Sequence, residues 1–208
     1  MTKVYDISPL LTPELVVWPG DTPLSREVLC DMSRGDNITL STLRATVHLG
    51  AHADGPNHYG RNAPSIESRS LDHYLGPCQV IRVDAARGER IGERYLRAKV
   101  SLPRVLFATG TFPDPAKWND DFAALDPAVV DHLHERGVIT IGIDTPSVDL
   151  FHSKKLEAHQ RFLAHDMAIL EGLVLNDVPD GEYELIALPL RLAGFDASPV
   201  RAILRKRE

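Results

Sequence analysis

Apolar residues recur along the chain in short runs, broken at intervals by Gly and Pro. That pattern predicts strands more often than long helices. The runs are Leu15–Trp18, residues 40–48, Gln79–Val83, Arg104–Phe107, Val138–Ile143 and Tyr183–Leu188. The segment VITIGID over 138–144 is β-branched and apolar on both faces. Such a strand suits the middle of a sheet, buried on both sides. Helical signals are fewer. Asp126-Pro127 offers an N-cap followed by Pro at the first helical position, and Gly137 offers a stop, so a helix is expected over Pro127–Arg136. A second is expected over Lys154–Leu163 and a shorter one over Gly92–Ala98. Helices and strands alternate only in part. The pattern predicts an α/β domain, layered, with a mixed and partly antiparallel sheet system rather than a plain doubly wound fold. No internal repeat or long linker divides the chain, so residues 1–208 are expected to form a single domain.

Composition narrows the function classes. Of 208 residues, 43% are hydrophobic and 25% charged, which suits a chain able to bury a core. The formal net charge of -6 disfavours nucleic acid as a partner. No apolar run approaches the roughly 20 residues of a membrane span. MTKVYDISPL lacks the basic and apolar regions of a signal peptide, so a cytoplasmic protein is the expectation. The basic tail Arg201, Arg205, Lys206 and Arg207 reads as a solvated chain end. Cys30 and Cys78 are too few for a disulfide framework and too far apart for a CxxC metal knuckle. No Gly-x-Ser-x-Gly elbow, Gly-x-Gly-x-x-Gly or P-loop is present. The unusual count is His, at 9.

Four of the residues suited to metal chemistry crowd into HLGAHADGPNH, residues 48–58: His48, His52, Asp54 and His58. All stand at even positions, so an extended segment would project them from one face. Imidazole and carboxylate suit zinc. A straight strand would separate His48 from His58 by roughly 33 Å, while ligands sit about 2 Å from their ion. The chain must therefore bend, and Gly50 and Gly55-Pro56 are placed to allow it. A helical HExxH site is excluded, because no Glu follows either His and Gly-Pro opposes a helix.

This segment resembles the His-x-Gly-Thr-His-x-Asp-x-Pro-x-His signature of the metal-dependent cyclase family. Ala51 stands where Thr is usual and Gly55 where Ala is common; neither is a ligand position. VVWPGDTP, IGIDTPSVD, MAILEGLVLNDVP and YELIALPL extend the resemblance over nearly the whole chain, towards the family's bacterial-type kynurenine formamidase branch. The resemblance implies a swivelling β/β/α-type fold, a homodimer and the hydrolysis of N-formyl-L-kynurenine to L-kynurenine and formate. It implies two Zn²⁺ ions per subunit, with His48, His52 and Asp54 on the first. Asp54 would bridge to a second held by His159 and Glu171. It makes His58 the general acid/base and Trp18 a pocket residue against the substrate's aromatic part. Mn²⁺ or Cd²⁺ would also suit these ligands.

Spacing alone leaves the second half of this site open. His159 and Glu171 are twelve residues apart, or roughly 18 Å along a continuous helix. They share an ion only if the chain turns back around residues 165–169, and His165 is a rival ligand. Trp18 also reads as a loop anchor, Glu171 as a solvated strand-edge carboxylate, and Asp144 as either a support to the site or a turn cap. Two other functions compete: hydrolysis of a cyclic amide such as isatin, and metal or small-molecule binding without catalysis. A pure binding site has no need of a non-ligating His58.

Overall fold

The chain is described from a computed structural model covering residues 3–96 and 99–207. Thr140–Ile143 is buried along its whole length, as the VITIGID composition predicts. In chain order the strands are β1 (Val4–Asp6), β2 (Ser25–Cys30), β3 (Leu40–Arg44), β4 (His52–Asp54), β5 (Leu75–Arg82), β6 (Arg90–Ile91) and β7 (Arg104–Ala108). They continue with β8 (Ala124–Leu125), β9 (Thr140–Ile143), β10 (Ala168–Glu171), β11 (Gly181–Ile186), β12 (Ala197–Pro199) and β13 (Ile203–Lys206). Two α-helices, α1 (Pro127–His134) and α2 (Glu157–Ala164), precede β9 and β10.

Nine strands form one sheet in the order β1-β13-β11-β5-β7-β9-β10-β4-β12. The middle strands β5, β7, β9 and β10 are parallel, and antiparallel strands flank them on both sides. This is the mixed, partly antiparallel α/β architecture with few helices. The strands β2 and β3 pair apart from it as an exposed hairpin, and β6 pairs with β8.

Alternation along the parallel strands feeds two cores. Ile81, Val105, Phe107, Ile141 and Ile169 face the helix side, where Val129, Val130, Leu133, Ala158 and Phe162 meet them. Val80, Leu106, Ala108, Ala168 and Leu170 face the other, with Leu185 and Leu204. Gly142 sits where a Cβ would come within 2.5 Å of Leu106 and 2.8 Å of Leu173, so the second core tolerates no side chain there.

Several expected elements differ. Asp126 does cap α1 through Ala128 N, and Gly137 takes the left-handed φ of 82° after it. The second helix starts at Glu157 rather than Lys154. The helix expected over 92–98 is a single 3-10 turn at Glu93–Tyr95, and residues 97 and 98 lie outside the described residues. Leu15–Trp18 is not a strand: it lies between Pro13 and Pro19 and bonds the Pro115 carbonyl through Val16 N. The strand expected over 40–48 stops at Arg44. Arg201, Arg205, Lys206 and Arg207 are exposed as expected, but the backbone that carries them is not a free end: Ile203–Lys206 is bonded on both edges, by β1 and β11, with Leu204 buried.

Candidate metal centre

The site grows from β4. His52 and Asp54 are two residues apart on this strand and share one face, while Ala53 between them enters the core. Antiparallel pairing sets Glu171 of β10 opposite His52. On the other edge, β12 sets Ala197 opposite Asp54 and brings Asp196 alongside. The chain bends where Gly and Pro allow. Gly50 has φ 58° between His48 and His52, and Pro56 opens the 3-10 turn Pro56–His58. His159 arrives from α2, and the return to Glu171 passes through the left-handed Asp166, φ 52°.

All five sequence-expected ligands converge. His48 Nδ1 lies 3.2 Å from Asp54 Oδ1. His52 Nε2 is 3.5 Å from the same oxygen and 3.3 Å from Glu171 Oε2. His159 Nε2 is 3.5 Å from Asp54 Oδ2 and 3.7 Å from Glu171 Oε1. Asp54 thus turns its two oxygens to different imidazoles. The His58 ring is 4.3 Å from that of His48, and its donor atom groups with those of His48 and Asp54 within 4.8 Å. His52, Asp54 and Glu171 form a second such group.

Each of the three imidazoles expected as ligands has a partner on its outer nitrogen. His52 Nδ1 meets the Gly50 carbonyl at 2.8 Å, His48 Nε2 meets Asp196 at 3.1 Å and His159 Nδ1 meets Asp149 at 2.8 Å. A proton on each outer nitrogen leaves the inner one with its lone pair facing the carboxylates. Glu171 is oriented likewise, its Oε1 accepting from Val148 N at 2.7 Å.

The electrostatics call for positive charge. Burial opposes ionisation of Asp54, but the imidazoles of His159 and His48 close beside it outweigh that and hold its pKa well below the usual range. Burial likewise opposes the imidazolium forms of His48 and His159. The nearby carboxylates of Asp54 and Asp196 lift His48 to about 9, and those of Asp149 and Asp54 lift His159 to about 10. Burial pushes His58 the other way, below its ordinary value. His52 Nε2 and both oxygens of Asp54 are buried without a hydrogen-bond partner. Unpartnered buried carboxylate oxygens are costly unless a cation meets them. Two donor atoms each about 2 Å from one tetrahedral ion stand roughly 3.3 Å apart, which is the spacing found here. The residues therefore fit a divalent metal.

The cluster forms the floor of a cavity of about 520 Å³. Its far wall is aromatic, made of Trp18, Trp118 and Phe112: Trp118 packs on Trp18 at 5.4 Å and on Phe112 at 5.7 Å. Phe151, outside the lining, supports Trp18 at 5.0 Å. Trp18-Pro19-Gly20-Asp21 is a turn closed by Asp21 N to Trp18 O at 2.9 Å, with Gly20 at φ 93°, a type II arrangement. Trp18 is therefore both a loop anchor and a cavity wall. No Lys or Arg lines the cavity among the described residues. Asp144 lines it too, its carboxylate accepting from Thr109 N, Gly110 N and Thr109 Oγ1.

His165, the rival ligand, stands elsewhere. It bonds Asp131 at 2.7 Å and stacks on His134 at 4.1 Å. Asp149, Asp196, Trp118 and Phe112 are site residues that sequence reasoning missed. IGIDTPSVD contained Asp149, but a lone Asp in a loop carries no periodicity to mark it. Glu171 is a buried carboxylate, not a solvated one.

The fold matches a structure described as a potential metal-dependent hydrolase with cyclase activity, at TM-score 0.87 and 25% identity over 100% of both chains. It matches a structure described as a "predicted metal-dependent hydrolase from Bacillus stearothermophilus" at TM-score 0.83 and 25% identity, again over 100% of both chains. An isatin hydrolase bound to the product analogue thioisatinate shares the fold at TM-score 0.84 and 17% identity, over 100% of this chain and 93% of that one. The family model described as "Putative cyclase" matches residues 5–150. By that match the chain belongs to the cyclase family.

Proposed function

We propose that this protein is a metal-dependent amide hydrolase whose substrate is N-formyl-L-kynurenine, cleaved to L-kynurenine and formate. The observation that carries the reading is the juxtaposition of an aromatic cavity wall with a buried imidazole-carboxylate floor. His48, His52 and Asp54 would hold one divalent ion, and His159 and Glu171, with Asp54 between, a second. Zinc suits the ligands, as do manganese and cadmium. Bound there, such ions supply Lewis acidity and lower the pKa of water. Trp18, Trp118 and Phe112 offer faces for the aryl ring, which orients the formyl group toward the floor. His58 takes a proton from the water that adds to the formyl carbon. As the C–N bond breaks, it returns that proton to the departing aniline nitrogen. Asp196 Oδ2 lies 3.6 Å from His58 Nδ1. We also propose that the working form is a homodimer in the cytoplasm.

The isatin hydrolase likeness supports a second reading, opening of a cyclic aryl amide, because a neutral bicyclic ring suits a cavity without Lys or Arg. Parallel assays decide. Zinc-loaded protein is expected to hydrolyse N-formyl-L-kynurenine much faster than isatin, to lose the activity to a chelator and to regain it with zinc. Faster turnover of isatin overturns the substrate assignment; no hydrolysis of either leaves a binding protein. His58→Ala is expected to keep its metal while turnover falls about 10²–10⁴-fold.

A further inference from the structure

Helix α2 begins without a cap of its own. Its N-cap position is Leu156, left-handed at φ 49° and without a side-chain acceptor. The first N–H groups of a helix need acceptors from outside it. Here two of them go to Asp149. Ala158 N donates to Oδ1 and His159 N to Oδ2, both at 3.1 Å. The same Oδ2 accepts from His159 Nδ1 at 2.8 Å. Arg90 closes the group, with Nη1 3.3 Å from Asp149 Oδ1 and Nη2 3.0 Å from Glu157, the first residue of α2. Asp149 is 0% exposed, and the mechanism above gives it no part.

We infer that Asp149 is the positioning residue for the His159 half of the metal centre. One carboxylate holds both the start of α2 and the imidazole that α2 carries, so the helix terminus fixes the oxygen on which the ring rests. With the Nδ1 proton committed to Asp149, Nε2 presents its lone pair toward Asp54 and Glu171. The negative charge also strengthens that nitrogen as a donor to a cation. The other two imidazoles are held differently. His52 leans on a neutral carbonyl, and Asp196, beside His48, is half-exposed. Neither contact is shared with a helix terminus. This inference rests on the metal-centre reading.

The test is zinc binding to the metal-free full chain, measured by competition with a chromophoric chelator, alongside the Co²⁺ absorption spectrum and thermal unfolding. Asp149→Asn removes the charge and keeps one of the two acceptor oxygens, so one backbone N–H of the helix start stays bonded. One zinc equivalent is expected to bind about 10–100-fold more weakly, with an altered Co²⁺ spectrum, while the metal-free Tm falls no further than in the helix-start control below. Ser153→Ala loosens the same helix start without touching the ring, since Ser153 Oγ accepts from Leu156 N at 3.1 Å and donates to Glu157 at 2.7 Å. It is expected to lower Tm and leave zinc affinity unchanged. Parent-like zinc binding by Asp149→Asn overturns the inference, as does an equal loss of affinity in Ser153→Ala. If the parent chain binds neither zinc nor Co²⁺, the metal-centre reading itself fails, a result distinct from both.

Discussion

His48, His52, Asp54 and His58 lie on one stretch of eleven residues, whereas His159 and Glu171 reach the same cavity from a helix and a parallel strand. The first group needs only local bending, at Gly50 and Pro56. The second needs the sheet order, the capping of α2 by Asp149 and a reversal through Asp166. A local motif can thus be read from spacing, while its complement is a product of tertiary packing. The two halves meet at backbone level too. A Cβ on Gly172, just after Glu171, would lie 2.2 Å from the Gly50 carbonyl oxygen.

Three substitutions probe this contrast. Asp54→Ala removes the residue that faces both halves, so metal analysis is expected to show loss of both ions. Hydrolysis is expected to fall on the order of 10³-fold or more, about 4 kcal/mol in the barrier. Two ions still bound at parent stoichiometry would show that the halves hold metal independently. Gly172→Ala attacks only the seam. It combines a left-handed φ of 64° with the contact on Gly50, and chemical denaturation is expected to show a loss of about 2–4 kcal/mol. Parent stability would mean the seam is slack. The smallest effect belongs to His165→Ala, which removes a partly exposed contact with Asp131 and the stack on His134. It is expected to cost under about 1 kcal/mol and to leave metal content unchanged; loss of metal would restore His165 as a ligand.

The sequence made much of this molecule legible. VITIGID announced a buried strand because β-branched residues on both faces have nowhere else to go, and Asp126-Pro127 with Gly137 bracketed α1 because capping is local chemistry. The failures were also physical. Leu15–Trp18 has a strand's composition, but no strand lies beside it in the sheet, and it became cavity wall. Ile203–Lys206 has a charged tail's composition, and pairing on both edges made it a strand. Asp149 and Asp196 each accept from an imidazole whose partner only folding supplies, so no spacing marks them. The rivalry between His159 and His165 was decided by helical phase. His159 is buried on the sheet side of α2, while His165 caps its end and turns to Asp131.

The placement of β4 has a consequence for how such a protein is made. Both strands that flank it, β10 and β12, come from the later part of the chain. During synthesis the strand that bears His52 and Asp54 has neither neighbour until residues 168–171 and 197–199 have left the ribosome. Glu171 and Asp196 arrive with those same segments. Contacts of such long sequence separation form late in folding. The signature at residues 48–58 is thus among the earlier-made parts of the site, yet the groups around it assemble last, and a metal would meet the full cluster only once residues 168–199 are in place.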